Sequence, residues 1–207
     1  MVTDHPIFLE SISFIRSHLE GNDLNYLEKK VLERLIHTSG DFSVQNLIVF
    51  SEGACEKGLQ ALQNGAPILT DTDMAAAAIK SMAENTTRNK VFTARTWFGD
   101  NNHTKLTKTA YGLSEAWKEL SVKNSGIKSP IVVIGSSPKA LMNLIDILDN
   151  SKDLPSLIIG MPVGFIGVEK SKNKLISTNL PRIVLNSTRG GAAMAAASVN
   201  ALLRETI

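Results

Sequence analysis

Apolar positions return along this chain with two periods. In residues 7–19, IFLESISFIRSHL, and 25–37, NYLEKKVLERLIH, they recur every three or four positions. Leu27, Val31, Leu32, Leu35 and Ile36 fall on one stripe of the second segment, which predicts a helix with one buried face. Gly40 stands just past its end, where a left-handed cap is easiest for a residue without Cβ.

Beyond Asp41 the rhythm changes. Short apolar runs appear at 46–50 (NLIVF), 66–71 (APILTD), 90–97 (KVFTARTW), 129–135 (SPIVVIG), 154–162 (LPSLIIGMP) and 180–186 (LPRIVLN). Runs of this kind predict strands buried on both faces. Helical patterns lie between them at 51–65, 74–85, 105–120 and 139–150, and a small-residue helix at 189–205 closes the series. Asp71, Thr72 and Asp73 are each placed to cap the helix at 74–85. Segments 99–104 (GDNNHT) and 168–179 (VEKSKNKLISTN) read as polar interruptions. Alternation of strand and helix predicts an α/β protein: a mostly parallel sheet with helices on both faces, a three-layer α/β/α sandwich. Neither repeats nor linkers break the pattern, so the chain reads as one domain over 1–207.

Composition narrows the partners. Apolar residues make up 43% and charged residues 20% of 207, ordinary globular usage. Twenty-two basic residues against 20 acids give +2, a balance that predicts no nucleic-acid partner. Cys55 is the only cysteine. It allows no internal disulfide and no thiolate cluster, which fits a reducing cytoplasm. The longest apolar stretches are too short to span a bilayer, and MVTDHPIFLES lacks an export pattern, so a soluble cytoplasmic protein is expected.

In an open parallel sheet, ligands bind beyond the carboxyl ends of the strands. Four loops leave that way: TDTD (70–73), GSSPK (135–139), GMPVGFIG (160–167) and NSTRGG (186–191). In GSSPK, Ser137 is a good cap, Pro138 suits the first helical turn and Lys139 adds a cation. In RGG, Arg189 precedes Gly190 and Gly191, two bare amides at a helix start. These corners suit a ligand with several carboxylates or phosphates. Tight strand-to-helix turns need the same residues with no ligand at all. Neither loop is a Walker A or a G-x-G-x-x-G motif.

His5, His18, His37 and His103 show no H-x-x-x-H pairing, so no protein metal site is expected. A serine-hydrolase elbow is absent. Glu52, Asp71, Asp73 and Asp100 form no acid–base spacing. His37 remains as the candidate for proton transfer, since its ordinary pKa lies near neutrality. Its position in a last helical turn has a second explanation, because a cation there suits the helix dipole.

Five motifs occur in order: ERLIHTSGDF, NGAPILTDTDMAA, VVIGSSPKALMNL, IIGMPVGFIGVEKSK and RGGAAMAAASVNAL. Together they resemble the precorrin-8X methylmutase family, including its cobalt-precorrin-8 form, from about Ile7 to Leu203. The resemblance implies a flavodoxin-like sandwich working as a homodimer whose active sites draw on both subunits. It implies an isomerase of cobalamin biosynthesis that needs no cofactor. A methyl group on ring C of a tetrapyrrole-derived polycarboxylate migrates to the neighbouring ring carbon, giving hydrogenobyrinic acid, or cobyrinic acid when cobalt is present. His37 matches the family's proton donor or acceptor, and Ser11 matches an early substrate-contacting serine. Substrate contacts are further expected at Lys108, Ser137, Lys139, Arg189, Gly190 and Gly191. Here the chain departs from the family's pattern: TKTA stands for TRSA, GSSPKA for GNAPTA, KSK for ESK and STRGGA for GRxGGS. Lys108 thus keeps a charge but loses the bidentate fork of an arginine. Two other readings remain at this level: a corrinoid carrier on the same fold that does no chemistry, and an unrelated anion-binding α/β enzyme.

Overall fold

Each predicted apolar run supplies a strand of three or four residues: β1 (Ile48–Phe50), β2 (Ile68–Thr70), β3 (Val91–Thr93), β4 (Ile131–Ile134), β5 (Leu157–Gly160) and β6 (Arg182–Leu185). The computed structural model describes residues 5–19, 21, 23–99 and 105–207. Asp100 and His103, with all of the 99–104 segment except Gly99, lie outside the described residues. The helices are α1 (Pro6–His18), α2 (Tyr26–Ser39), α3 (Ala54–Gln63), α4 (Asp73–Asn85), α5 (Lys108–Lys123), α6 (Pro138–Leu148), α7 (Val168–Ile176) and α8 (Ala192–Arg204).

The six strands form one sheet in the order β1-β6-β5-β4-β2-β3. β3, β2, β4, β5 and β6 are parallel, and β1 pairs antiparallel with β6, Ile48 opposite Leu185. With β1 set aside, the remaining order is the flavodoxin-like one, whose switch point falls between β2 and β4.

Alternate strand residues enter two cores. Ile68, Ile131, Val133, Leu157, Ile159 and Ile183 pack under α1, α2, α3, α4 and α8. Leu69, Val132, Ile134, Ile158 and Val184 pack under α5, α6 and α7. This is the expected three-layer sandwich. Each buried Leu, Ile or Val stabilises it by about 1.5–3 kcal/mol over exposure.

Two expectations need correction. Residues 168–179 do not form a polar interruption; most of the segment is α7, and its buried positions are Val168, Ser171, Lys172 and Leu175. KVFTARTW is a strand only over Val91–Thr93, after which Ala94–Trp97 turns as a 3-10 helix capped by the Thr93 hydroxyl. Of the three cap candidates before α4, Thr72 serves, its hydroxyl accepting from the Ala75 amide.

Candidate active site

The antiparallel β1 determines where His37 lies. β1 begins beside the carboxyl end of β6, so the chain that feeds it reaches the sheet edge where β2, β4, β5 and β6 end. That chain is the end of α2. Gly40 closes the helix in the left-handed region (φ 64°), its amide donating to the Ile36 carbonyl at 2.8 Å. Asp41 then caps a 3-10 turn over Phe42–Asn46. Leu32, Leu35 and Ile36 are buried, which anchors the last turns and leaves His37 exposed.

His37 meets α1. Its Nδ1 lies 2.8 Å from Ser11 Oγ. The Phe8 ring, one turn earlier, stands nearly perpendicular to the imidazole at 80°, centroids 5.1 Å apart. Partial desolvation lowers the His37 pKa below its usual value, and the Arg34 and Arg204 charges push the same way. Both effects weaken the ring's hold on a proton and make its protonated form a readier donor. One nitrogen is engaged by Ser11, which leaves Nε2 for another partner.

The RGG corner sits close by. Arg189 Nη1 forms an ion pair with Asp41 and donates to Ser43 Oγ at 2.7 Å, tying the entry of α8 to the segment that follows His37. The Ser43 hydroxyl and amide hold the Asp41 carboxyl below the usual carboxylate range, and Arg189 adds to this. The two glycines are not simply bare amides. The Gly191 N–H donates to the Met161 carbonyl at 2.8 Å. A Cβ on Gly190 (φ 149°) would sit 2.1 Å from that same oxygen. These glycines let the backbone of the last loop lie against the end of β5.

Lys172 on α7 holds the same loop from beneath. It is fully buried and donates to the carbonyls of Ser187 and Arg189, each at 2.6 Å. Burial pushes its ammonium down to about 8, with Glu169 pulling weakly upward. The Gly164 amide donates to the Thr188 carbonyl at 3.0 Å, so the GMPVGFIG and NSTRGG loops are joined. At the tip of the former, Phe165 and Ile166 are almost fully exposed.

The GSSPK loop differs from the sequence expectation. Its amides at Gly135, Ser136 and Ser137 donate to the Asp71 carboxylate at 3.1, 2.7 and 2.9 Å. The protein's own carboxylate thus fills the anion position at the switch point. Burial raises the Asp71 pKa, and the three amides pull against it. Ser137 Oγ accepts from the Ala140 amide at 3.1 Å as the cap of α6. Lys139 is exposed in the first turn of that helix. Lys108 is the first residue of α5, exposed, and reached through β3 at the opposite flank of the sheet from β1.

Within one chain, then, Ser11 and His37 are brought into contact, and Arg189, Gly190 and Gly191 lie beside the segment leaving α2. Ser137 and Lys139 follow Gly135, the residue by which their loop meets the RGG corner: a Cβ on it would sit 2.7 Å from the Ala192 backbone. Lys108 stands apart. Sequence reasoning missed Lys172 and the Asp71 lock, together with Phe8, Arg34 and Arg204 around His37. For Lys172 the available signal was the S-K that closes the GMPVGFIGVEKSK motif. Among the described residues, no three of His, Cys, Asp and Glu come together to hold a metal ion. No helix among them is long and apolar enough to cross a membrane.

The model of one family, precorrin-8X methylmutase, matches residues 6–205. A precorrin-8X methylmutase of Pseudomonas aeruginosa is 34% identical over 96% of this chain and 94% of its own length. A cobalt-precorrin-8 methylmutase of Synechocystis is 30% identical, over 97% and 95%. A solved structure titled as the precorrin-8X methylmutase of Thermus thermophilus superposes with a TM-score of 0.86 at 30% identity, covering 97% of this chain and 95% of that one. With its fold and these matches over nearly its whole length, the chain belongs to the precorrin-8X methylmutase family, intramolecular methyl-shifting isomerases of cobalamin biosynthesis.

Proposed function

We propose that this chain isomerises a precorrin-8-type tetrapyrrole by moving a methyl group between neighbouring carbons of ring C, with His37 as the proton donor and acceptor. The observation that carries the reading is the contact between Ser11 Oγ and His37 Nδ1 on the ligand edge of the sheet. One C–CH3 bond breaks as the adjacent one forms, so substrate and product have the same atoms and no redox partner is needed. A proton lent to the conjugated ring makes it a better electron sink for the migrating group, and it returns when the shift is complete. Ser11 holds Nδ1, and Nε2 handles that proton. The rest is positioning. Arg189, Lys139 and the Ser137 hydroxyl are the polar groups proposed for the substrate's carboxylates, and Lys108 joins them from a second subunit.

That last assignment goes with a homodimer whose active sites are shared. The place of Lys108 after β3, at the opposite edge of the sheet from β1, supports it, as do the exposed Phe165 and Ile166. We place the protein in the cytoplasm, in keeping with the buried, unpaired Cys55.

Mixing the purified chain with precorrin-8X tests the reading. The visible spectrum is expected to shift to that of hydrogenobyrinic acid, and His37→Ala to abolish the shift while still binding the pigment. Binding without a spectral shift in the wild type identifies a carrier, and absence of binding rejects both readings. Cobalt-precorrin-8 in a parallel reaction decides which form is turned over.

A further inference from the structure

The Phe8 ring that meets His37 is contacted by two cations. The Arg34 guanidinium carbon lies over it at 5.1 Å from the ring centroid, and that of Arg204 at 4.7 Å. The two arginines come from different elements, Arg34 from α2 one turn before His37 and Arg204 from the last turn of α8. Both line a groove of about 270 Å³ that runs between α1, α2 and the end of α8.

We propose that Phe8, Arg34 and Arg204 are positioning residues for His37: the two guanidiniums fix the Phe8 ring, and that ring fixes the imidazole plane while Ser11 holds Nδ1. The proposal rests on the role given to His37 above. Three helices converge on one ring, and a cation over an aromatic face is attracted to its electron-rich centre. A ring held by two cations and set perpendicular to the imidazole leaves the imidazole little freedom to swing.

The same cluster acts electrostatically. The charged groups facing this corner are Lys30, Glu33 and Arg34 of α2, Arg16 of α1, Arg204 at the end of α8 and Glu205 just after it. Arg16 is paired with Glu33, through contacts of 2.6 and 2.8 Å, and Glu205 with Lys30 and Tyr26. Arg34 and Arg204 are the charges that act on His37, and both disfavour imidazolium. They weaken the ring's hold on a proton, so that the imidazolium gives its Nε2 proton to the substrate more readily.

Two measurements test this, one of them without substrate. Followed by NMR in the free protein, the His37 titration midpoint is expected to move to higher pH in Arg204→Met and in Arg34→Met. In Arg204→Lys it is expected to move back toward wild type. This arm stands whatever the protein turns over. In the reaction, Phe8→Leu is expected to lower kcat on the order of tenfold with KM little changed, as for a misoriented reacting group. An unmoved His37 midpoint in both methionine variants, each shown by its melt to be folded, overturns the electrostatic half. Wild-type kcat in Phe8→Leu overturns the positioning half.

Discussion

Lys172 Nζ lies 2.6 Å from the carbonyl oxygen of Arg189, 17 positions away, and equally close to that of Ser187. A fully buried lysine therefore holds the backbone of the loop that carries Arg189 toward Asp41.

Lys172→Met keeps the bulk and removes the donor. Two carbonyls lose their partner, at roughly 1–3 kcal/mol for a buried group left unmade. The pH dependence gives a sharper test. In the unfolded chain the amine titrates near 10.5, and in the folded one burial lowers it to about 8. Between these values the unfolded chain holds a proton that the native state has released, so stability rises with pH across the window. A neutral amine still has two N–H donors, so both carbonyl contacts survive deprotonation. Urea unfolding at pH 7.5 and pH 9.5 should show the gap between wild type and Lys172→Met widening at the higher pH, by on the order of 1–3 kcal/mol. Parallel stabilities at both pH values would remove the buried lysine from this role.

Lys172 also shows where the sequence stops being legible. The strands could be read because a strand buried on both faces is apolar at every position, as in β4 and β5. α7 could not, because two of its buried positions are Ser171 and Lys172. Each satisfies its polar atoms against backbone carbonyls, Ser171 at Val168 and Lys172 across the fold, so helical burial proceeds without an apolar stripe. The GSSPK loop shows the opposite failure. Its residues do suit an anion, but the anion is Asp71, 64 to 66 positions upstream, and only the sheet order brings them together. The contact of Ser11 with His37 joins two helices 26 residues apart. Periodicity placed both helices, elimination singled out His37, and only the family resemblance added Ser11.

Asp71 can be tested by taking its carboxylate away. Asp71→Gly leaves the amides of Gly135, Ser136 and Ser137 facing an empty anion position at the start of α6. An unpaired buried amide, as at Gly135, costs roughly 1–3 kcal/mol, so the melting temperature should fall clearly. Acetate has the size and charge of the missing side chain, and a ligand bound only by the native state raises stability by mass action. Acetate should therefore raise the melting temperature of Asp71→Gly more than that of the wild type, and chloride at equal ionic strength should not. Equal responses of the two proteins to acetate would show that the three amides do not form an anion cradle.

Ser11 bears on the chemistry most directly. Its hydroxyl is half-buried and its contact with His37 exchanges with water, so Ser11→Ala should change stability by only about 0.5–1.5 kcal/mol. The imidazole has more to lose. With the serine oxygen 2.8 Å from Nδ1, the ring is held in one orientation and Nε2 keeps a defined direction. Without it, other ring orientations become accessible, and only a fraction of molecules present the productive one. A net hydrogen bond of about 1.4 kcal/mol corresponds to roughly tenfold in that fraction. Turnover in Ser11→Ala should fall by about this factor with pigment binding nearly unchanged, and Ser11→Thr should recover much of it by restoring the hydroxyl. The nitrogen chemical shift of His37 Nδ1 should move in the alanine variant, as it loses its partner, and return in the threonine one. If turnover and nitrogen shifts in Ser11→Ala both match the wild type, Ser11 does not orient His37, and the perpendicular Phe8 ring alone holds the imidazole.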